Sequence, residues 1–216
     1  MNARDKILAR IRDAPAGQTA EAHMAKDAIS SHLARHPRGP LPPHLDDLLA
    51  CFKERALKLS SDVLETNDRS ETPALLAHYL GERKLPMRGV CWPSLSGLPW
   101  RAAGLDMQSR PATNQDLVGV TGAFCAIAET GTLMLLSGAD TPATTSLLPE
   151  THVAVLDPRR IVATMEDAWD LLRKEYQQPP RAVNFISGPS RTADIEQIVT
   201  LGAHGPYRVL LILAPT

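Results

Sequence analysis

The chain is predicted to fold as an α/β domain: a largely parallel sheet flanked by helices, with a β-hairpin inserted. Three observations carry that prediction. Apolar runs of strand length alternate with stretches of helical period. The last run, Tyr207 to Leu213, is apolar almost throughout, as a strand covered on both faces is. Ala123–Ile127 and Thr132–Leu136 flank Glu129-Thr130-Gly131, where glycine suits the positive φ of a tight turn.

Taken in order, Asp5 to Arg12 reads as a short amphipathic helix, and residues 13–30 read as poorly fixed. Pro37, Pro40, Pro42 and Pro43 then stiffen a strap. Residues 1–43 are therefore expected to be a helix and strap, and residues 44–216 the α/β domain. A helix is predicted from His44, with Leu45, Leu48, Leu49, Phe52, Ala56, Leu59 and Val63 at three- and four-residue steps, and Asp46 and Asp47 in its first turn. A second helix runs from Thr72 to about Leu80, with Thr72 as cap, Pro73 at its first position and Gly81 closing it. Gly89–Trp92 and His152–Leu156 read as strands. Thr164 caps a helix whose acid three residues on reaches back, and Val183–Ile186 is a strand ending at Gly188-Pro189.

Composition narrows the function. The chain has 216 residues, enough to build a packed core, and is 44% hydrophobic. Its 23 basic and 24 acidic side chains leave no surplus to neutralise phosphates, so no nucleic-acid partner is expected. No apolar run approaches the ~20 residues of a membrane span, and no secretory signal is visible, so a cytoplasmic protein is expected. Cys51, Cys91 and Cys125 lie too far apart for a disulfide framework or a zinc site and read as reduced thiols, so no metal is expected. Nucleotide-binding glycine fingerprints, phosphate-binding loops, His-Glu-x-x-His and Gly-x-Ser-x-Gly motifs are all absent.

Two polar stretches stand against this apolar background. In the first, Glu129, Thr130, Gly131 and Thr132 lie at the rim of a cleft, where the carboxylate serves as base, nucleophile or acceptor, or they simply form a solvated turn. In the second, Ser187 to Glu196, a helix opening at Thr192 or Asp194 would offer free amides to an anion beside Ser190 and Arg191; the alternative is a capped turn with Arg191 paired to Asp194 or Glu196. His204, between Gly202 and Gly205, is either a proton shuttle or an exposed loop residue. Cys125 reads as a small core residue.

The order of Gly119-Val120-Thr121-Gly122-Ala123-Phe124, Ala126–Thr132, Ser146-Leu147-Leu148-Pro149, Ile186–Glu196 and Leu201-Gly202-Ala203-His204-Gly205-Pro206 resembles the lactate utilisation (LUD) domain, nearest its LutC or YkgG branch. The match is strongest over residues 119–216. The resemblance implies a fold similar to the NagB/RpiA/CoA-transferase group and a part in oxidising L-lactate to pyruvate beside LutA-like and LutB-like partners, which hold the iron–sulfur clusters. No cofactor is expected in this chain itself. Phe124-Cys125 stands where an acidic–aromatic pair is common. One functional reading is thus a non-redox subunit of a lactate-oxidising complex, binding a small anionic metabolite. A second is an independent binder or enzyme for a phosphorylated or CoA-linked metabolite, with Glu129 as nucleophile by analogy with CoA-transferases. A third is a pure interaction protein, docking through its first 60 residues.

Overall fold

A computed structural model describes residues 3–13, 20–41, 46–193, 199–202 and 204–215. The chain divides into two compact units, Met1–Leu41 and Pro42–Thr216. The first holds helices α1 (Ala3–Asp13) and α2 (Ala20–Ala34). The second helix occupies much of a stretch expected to be poorly fixed: alanine, glutamate, methionine and lysine favour helix there, and no glycine or proline falls inside it.

The second unit opens with α3 (Leu48–Lys58). Its start differs from expectation: Asp47 is the cap, its carboxylate accepting from the Ala50 amide at 2.9 Å, while His44 and Leu45 lie outside the described residues. It also ends earlier. Ser60 adopts a φ of 65°, and Ser61 donates back to the Ala56 carbonyl, so Val63 falls in strand β1 (Asp62–Glu65) rather than on the helix stripe. Next come α4 (Thr72–Glu82), β2 (Arg88–Cys91), β3 (Asp106–Ser109), β4 (Val118–Gly122), β5 (Cys125–Ile127) and β6 (Thr132–Leu136). A short helix α5 (Thr144–Leu147) leads to β7 (Thr151–Leu156), then β8 (Ile161–Val162), α6 (Met165–Glu175), β9 (Val183–Ile186), β10 (Arg191–Ala193), β11 (Val199–Leu201) and β12 (Arg208–Leu213).

Six strands form one all-parallel sheet in the order β1-β12-β7-β4-β2-β3. The hairpin β5–β6 is not set into that sheet. It forms the middle of a second sheet, β8-β5-β6-β9, in which β5 pairs parallel with β8 and β6 antiparallel with β9. The β10 and β11 strands make a small antiparallel ladder.

Alternation of side chains along the strands stacks these sheets into layers. Val153 and Val155 of β7, with Leu210 and Ile212 of β12, pack beneath Leu76, Tyr79 and Leu80 of α4. Their neighbours Ala154, Leu156, Leu211 and Leu213 face the other way, meeting Phe52 and Ala56 of α3 and Leu133 and Leu135 of β6. Cys125, Ile127, Met134 and Leu136 line the far face of the second sheet, covered by Ala168 and Leu172 of α6. The order is helix, parallel sheet, mixed sheet with α3, helix. This is why the strands read as unbroken apolar runs: both of their faces are buried.

The α6 cap follows the sequence. Thr164 accepts from the Asp167 amide at 3.2 Å, and the Asp167 carboxylate accepts from the Thr164 amide at 3.1 Å. Thr164→Ala is expected to lower the unfolding free energy by about 1 kcal/mol, read from urea denaturation. Among the described residues, no helix is long and apolar enough to cross a membrane.

Candidate functional site

Open parallel sheets bind ligands outside the carboxyl ends of their strands. A cleft of about 360 Å³ lies there. Its floor comes from the residues that end or follow four adjacent strands: Trp92 after β2, Gly122 to Phe124 at the end of β4, Val155 on β7 and Asp157 just after it, and Ala214 after β12. Arg69, beyond β1, and Ser94, beyond β2, also line it. A wall comes from Ser137 and Gly138 after β6, and from Tyr176 at the end of α6.

Each wall residue is held for a local reason. The Trp92 indole donates to the Pro142 carbonyl at 3.2 Å, and its ring lies on Gly122, where an added Cβ would sit 3.7 Å away. Phe124 and Tyr176 meet edge to face with centroids 5.9 Å apart. Arg160 lies 4.7 Å over the Phe124 ring, donates to the Phe124 carbonyl, and forms two 3.0 Å bonds to Glu175. Its charge is therefore already balanced. Arg69 differs: it is half-buried, lines the cleft, and its guanidinium has no hydrogen bond or ion pair among the described residues.

The residues singled out from sequence lie elsewhere. Glu129 accepts from the Met165 amide at 2.7 Å, placing its carboxylate at the positive end of α6. Thr130 is exposed. Gly131 makes the hairpin turn with φ 67°, and a Cβ there would come within 2.7 Å of the Ala56 amide. Thr132 shares a 2.7 Å hydrogen bond with Ser187. Ser190 donates its amide to Pro206 and accepts from Gly202. Arg191 and Thr192 fall in strand β10, so no helix opens at Thr192; Asp194 to Glu196 lie outside the described residues. The Arg191 guanidinium instead reaches the carbonyl of Leu59 at 3.4 Å and the Ser60 hydroxyl, a cation at the negative end of α3. His204 is exposed. The two polar stretches do come together, around the second half of α3, but none of these eight residues lines the cleft.

The signal that marks the cleft is positional. Trp92-Pro93, Gly122-Ala123-Phe124 and Asp157-Pro158 each follow a parallel strand directly, whereas Arg69 and Tyr176 carry no motif.

The three thiols lie in separate layers. Cys91 belongs to the core beneath α4, Cys51 to α3, and Cys125 to the face under α6. Burial pushes the Cys91 thiol up to about 11 and that of Cys125 to about 12. Cys51 donates to the Ala128 carbonyl at 3.4 Å. Among the described residues no three His, Cys, Asp or Glu side chains gather as a metal site requires.

Known proteins resemble this chain in sequence and in fold. Lactate utilization protein C from Bacillus subtilis is 29% identical over 188 residues, 78% of each chain. Its namesake from Bacillus licheniformis is 34% identical over 190 residues, again 78% of each. A DUF162 family protein from Deinococcus radiodurans superposes with a TM-score of 0.61 at 26% identity, covering 81% of this chain and 99% of that one. The LUD domain pattern matches residues 96–214, which run from the loop after β2 through the last strand of the parallel sheet. With more than half its length matched, the chain belongs to the LUD domain family.

Proposed function

We propose that the chain acts in L-lactate utilisation, in the oxidation of lactate to pyruvate, as a cytoplasmic component without a redox centre of its own. The observation that carries this reading is kinship with proteins named lactate utilization protein C across 78% of both chains. Removing two electrons from lactate requires an acceptor. An iron–sulfur cluster is typically held by four thiolates. Three thiols divided among three layers, two of them kept protonated by burial, favour an acceptor housed in another protein. LutA-like and LutB-like iron–sulfur proteins are the partners that fit, and the crevice at the strand ends is the place for a small molecule.

Reconstitution tests this. The isolated chain with L-lactate and an artificial electron acceptor should give no turnover. The partner proteins should oxidise lactate with the chain present and lose most of that rate when it is left out. Sustained turnover by the isolated chain, or an unchanged rate without it, would overturn the proposal.

A further inference from the structure

The cleft is too long and too aromatic for lactate alone. It crosses the carboxyl ends of β2, β4, β7 and β12, which are consecutive neighbours in the sheet. Three inter-strand steps of about 4.8 Å make its floor about 14 Å long. Its volume of about 360 Å³ falls in the range of sites that enclose drug-sized molecules. A three-carbon hydroxy acid would leave most of that space to water.

The lining describes what would fill it. At the β1 and β12 end stands Arg69, a half-buried guanidinium with no partner among the described residues. A guanidinium with no protein partner at the rim of a cleft is free to take a ligand, and its planar five-donor fork is suited to phosphate or carboxylate. Arg160 is not available for that task, since Glu175 and the Phe124 carbonyl occupy it. Phe124 of the floor and Tyr176 of the wall form an aromatic pair, and Tyr176 is 46% exposed. An exposed ring at the mouth of a cleft is a stacking surface for a flat ligand. At the β2 end, Ser94 offers an exposed hydroxyl that makes no hydrogen bond among the described residues.

We propose that this cleft binds a ring-bearing anion of nucleotide size, with its charged group on Arg69 and its ring against Phe124 and Tyr176. The assignment stands on the cleft itself and holds whether or not the chain serves lactate oxidation.

Calorimetric titration of the full chain tests it, with AMP and FMN as ring-bearing phosphates, adenosine as a ring without the anion, and ribose 5-phosphate as an anion without the ring. Saturable binding of AMP or FMN is expected, with adenosine and ribose 5-phosphate each about 10-fold weaker or more. Arg69→Ala should weaken the ring-bearing ligand about 10-fold, and Arg69→Lys should recover part of that loss. Tyr176→Ala should weaken the ring-bearing ligand about 5-fold while leaving ribose 5-phosphate unchanged. Arg88→Ala, at the opposite ends of the strands, serves as a control and should change nothing. Circular dichroism confirms that each variant is folded.

The assignment falls if neither AMP nor FMN binds at millimolar concentration. It falls equally if ribose 5-phosphate binds as well as both, or if folded Arg69→Ala binds as the parent does. Reduction of bound FMN by L-lactate in the isolated chain would overturn the non-redox reading while leaving this site in place.

Discussion

Gly119→Ala is expected to lower the unfolding free energy by about 3 kcal/mol, the upper end of ordinary overpacking. Gly119 sits inside β4, bound on one side to β7 and on the other to β2. A Cβ there would lie 2.1 Å from the Thr145 carbonyl oxygen and 2.7 Å from the Pro149 ring. Neither obstacle is the end of a flexible side chain that can swing aside. The strand cannot retreat without breaking two ladders, so α5 and the chain that feeds β7 would have to lift. Gly81→Ala is the matched control: it lies near the end of α4, and a Cβ there meets nothing within 4 Å. That substitution should stabilise by about 0.5–1 kcal/mol, because alanine gives up less conformational freedom in a helix. Urea denaturation of the two variants against the parent gives opposite shifts in midpoint. Equal midpoints for Gly119→Ala and the parent would mean that α5 does not press on the sheet as described.

The second large effect concerns acid. His152, on β7, is fully buried; its Nε2 lies 2.8 Å from the Thr121 hydroxyl, and its Nδ1 has no partner among the described residues. Burial lowers its pKa from 6.5 to about 3, since an imidazolium there would be stripped of water. The folded state therefore holds a neutral ring over a range where the unfolded chain takes up a proton. Its contribution to stability is complete above pH 6.5 and is lost as pH falls toward 3. The expected slope is about 1.4 kcal/mol for each pH unit in that interval, beyond whatever the carboxylates contribute. Unfolding free energies measured at pH 7.5, 5.5 and 4.5 give the slope. His152→Gln keeps a hydrogen-bonding group beside Thr121 without a titrating ring and should remove about one proton from the pH dependence. An unchanged dependence in that variant would show that His152 is not the group that titrates on unfolding.

The legible parts of the fold were those in which one physical cause acts alone. The β6, β7 and β12 strands announce themselves because burial on both faces makes them continuously apolar. The capping box of α6 could be read because its two partners are three residues apart. Edge strands were harder. The sequence Asp-Met-Gln-Ser of β3 has little apolar content, because an edge strand is paired on one side only and largely exposed. Val63 matches a helical step as well as a strand position, and only the turn at Ser60 separates the two.

For the candidate site the lesson is different. Polar residues massed beside strands suit a ligand or a set of local caps equally well, and here several meet partners within the protein. Thr132 meets Ser187, Glu129 meets the start of α6, and Arg191 meets the end of α3. A polar group beside a packed strand favours a hydrogen-bond partner, and for these three the protein itself supplies it. The cleft residues are dispersed from Arg69 to Ala214 and share no local pattern. Only the strand order brings them together, and that order depends on pairings far apart in sequence.

That strand order also governs how the molecule can be made. The first strand of the parallel sheet pairs with the last, and β12 separates β1 from β7. During translation, β1 and α3 therefore leave the ribosome long before their neighbour has been synthesised. The emerging polypeptide must keep those apolar surfaces out of trouble until residues 208–213 arrive to close the gap.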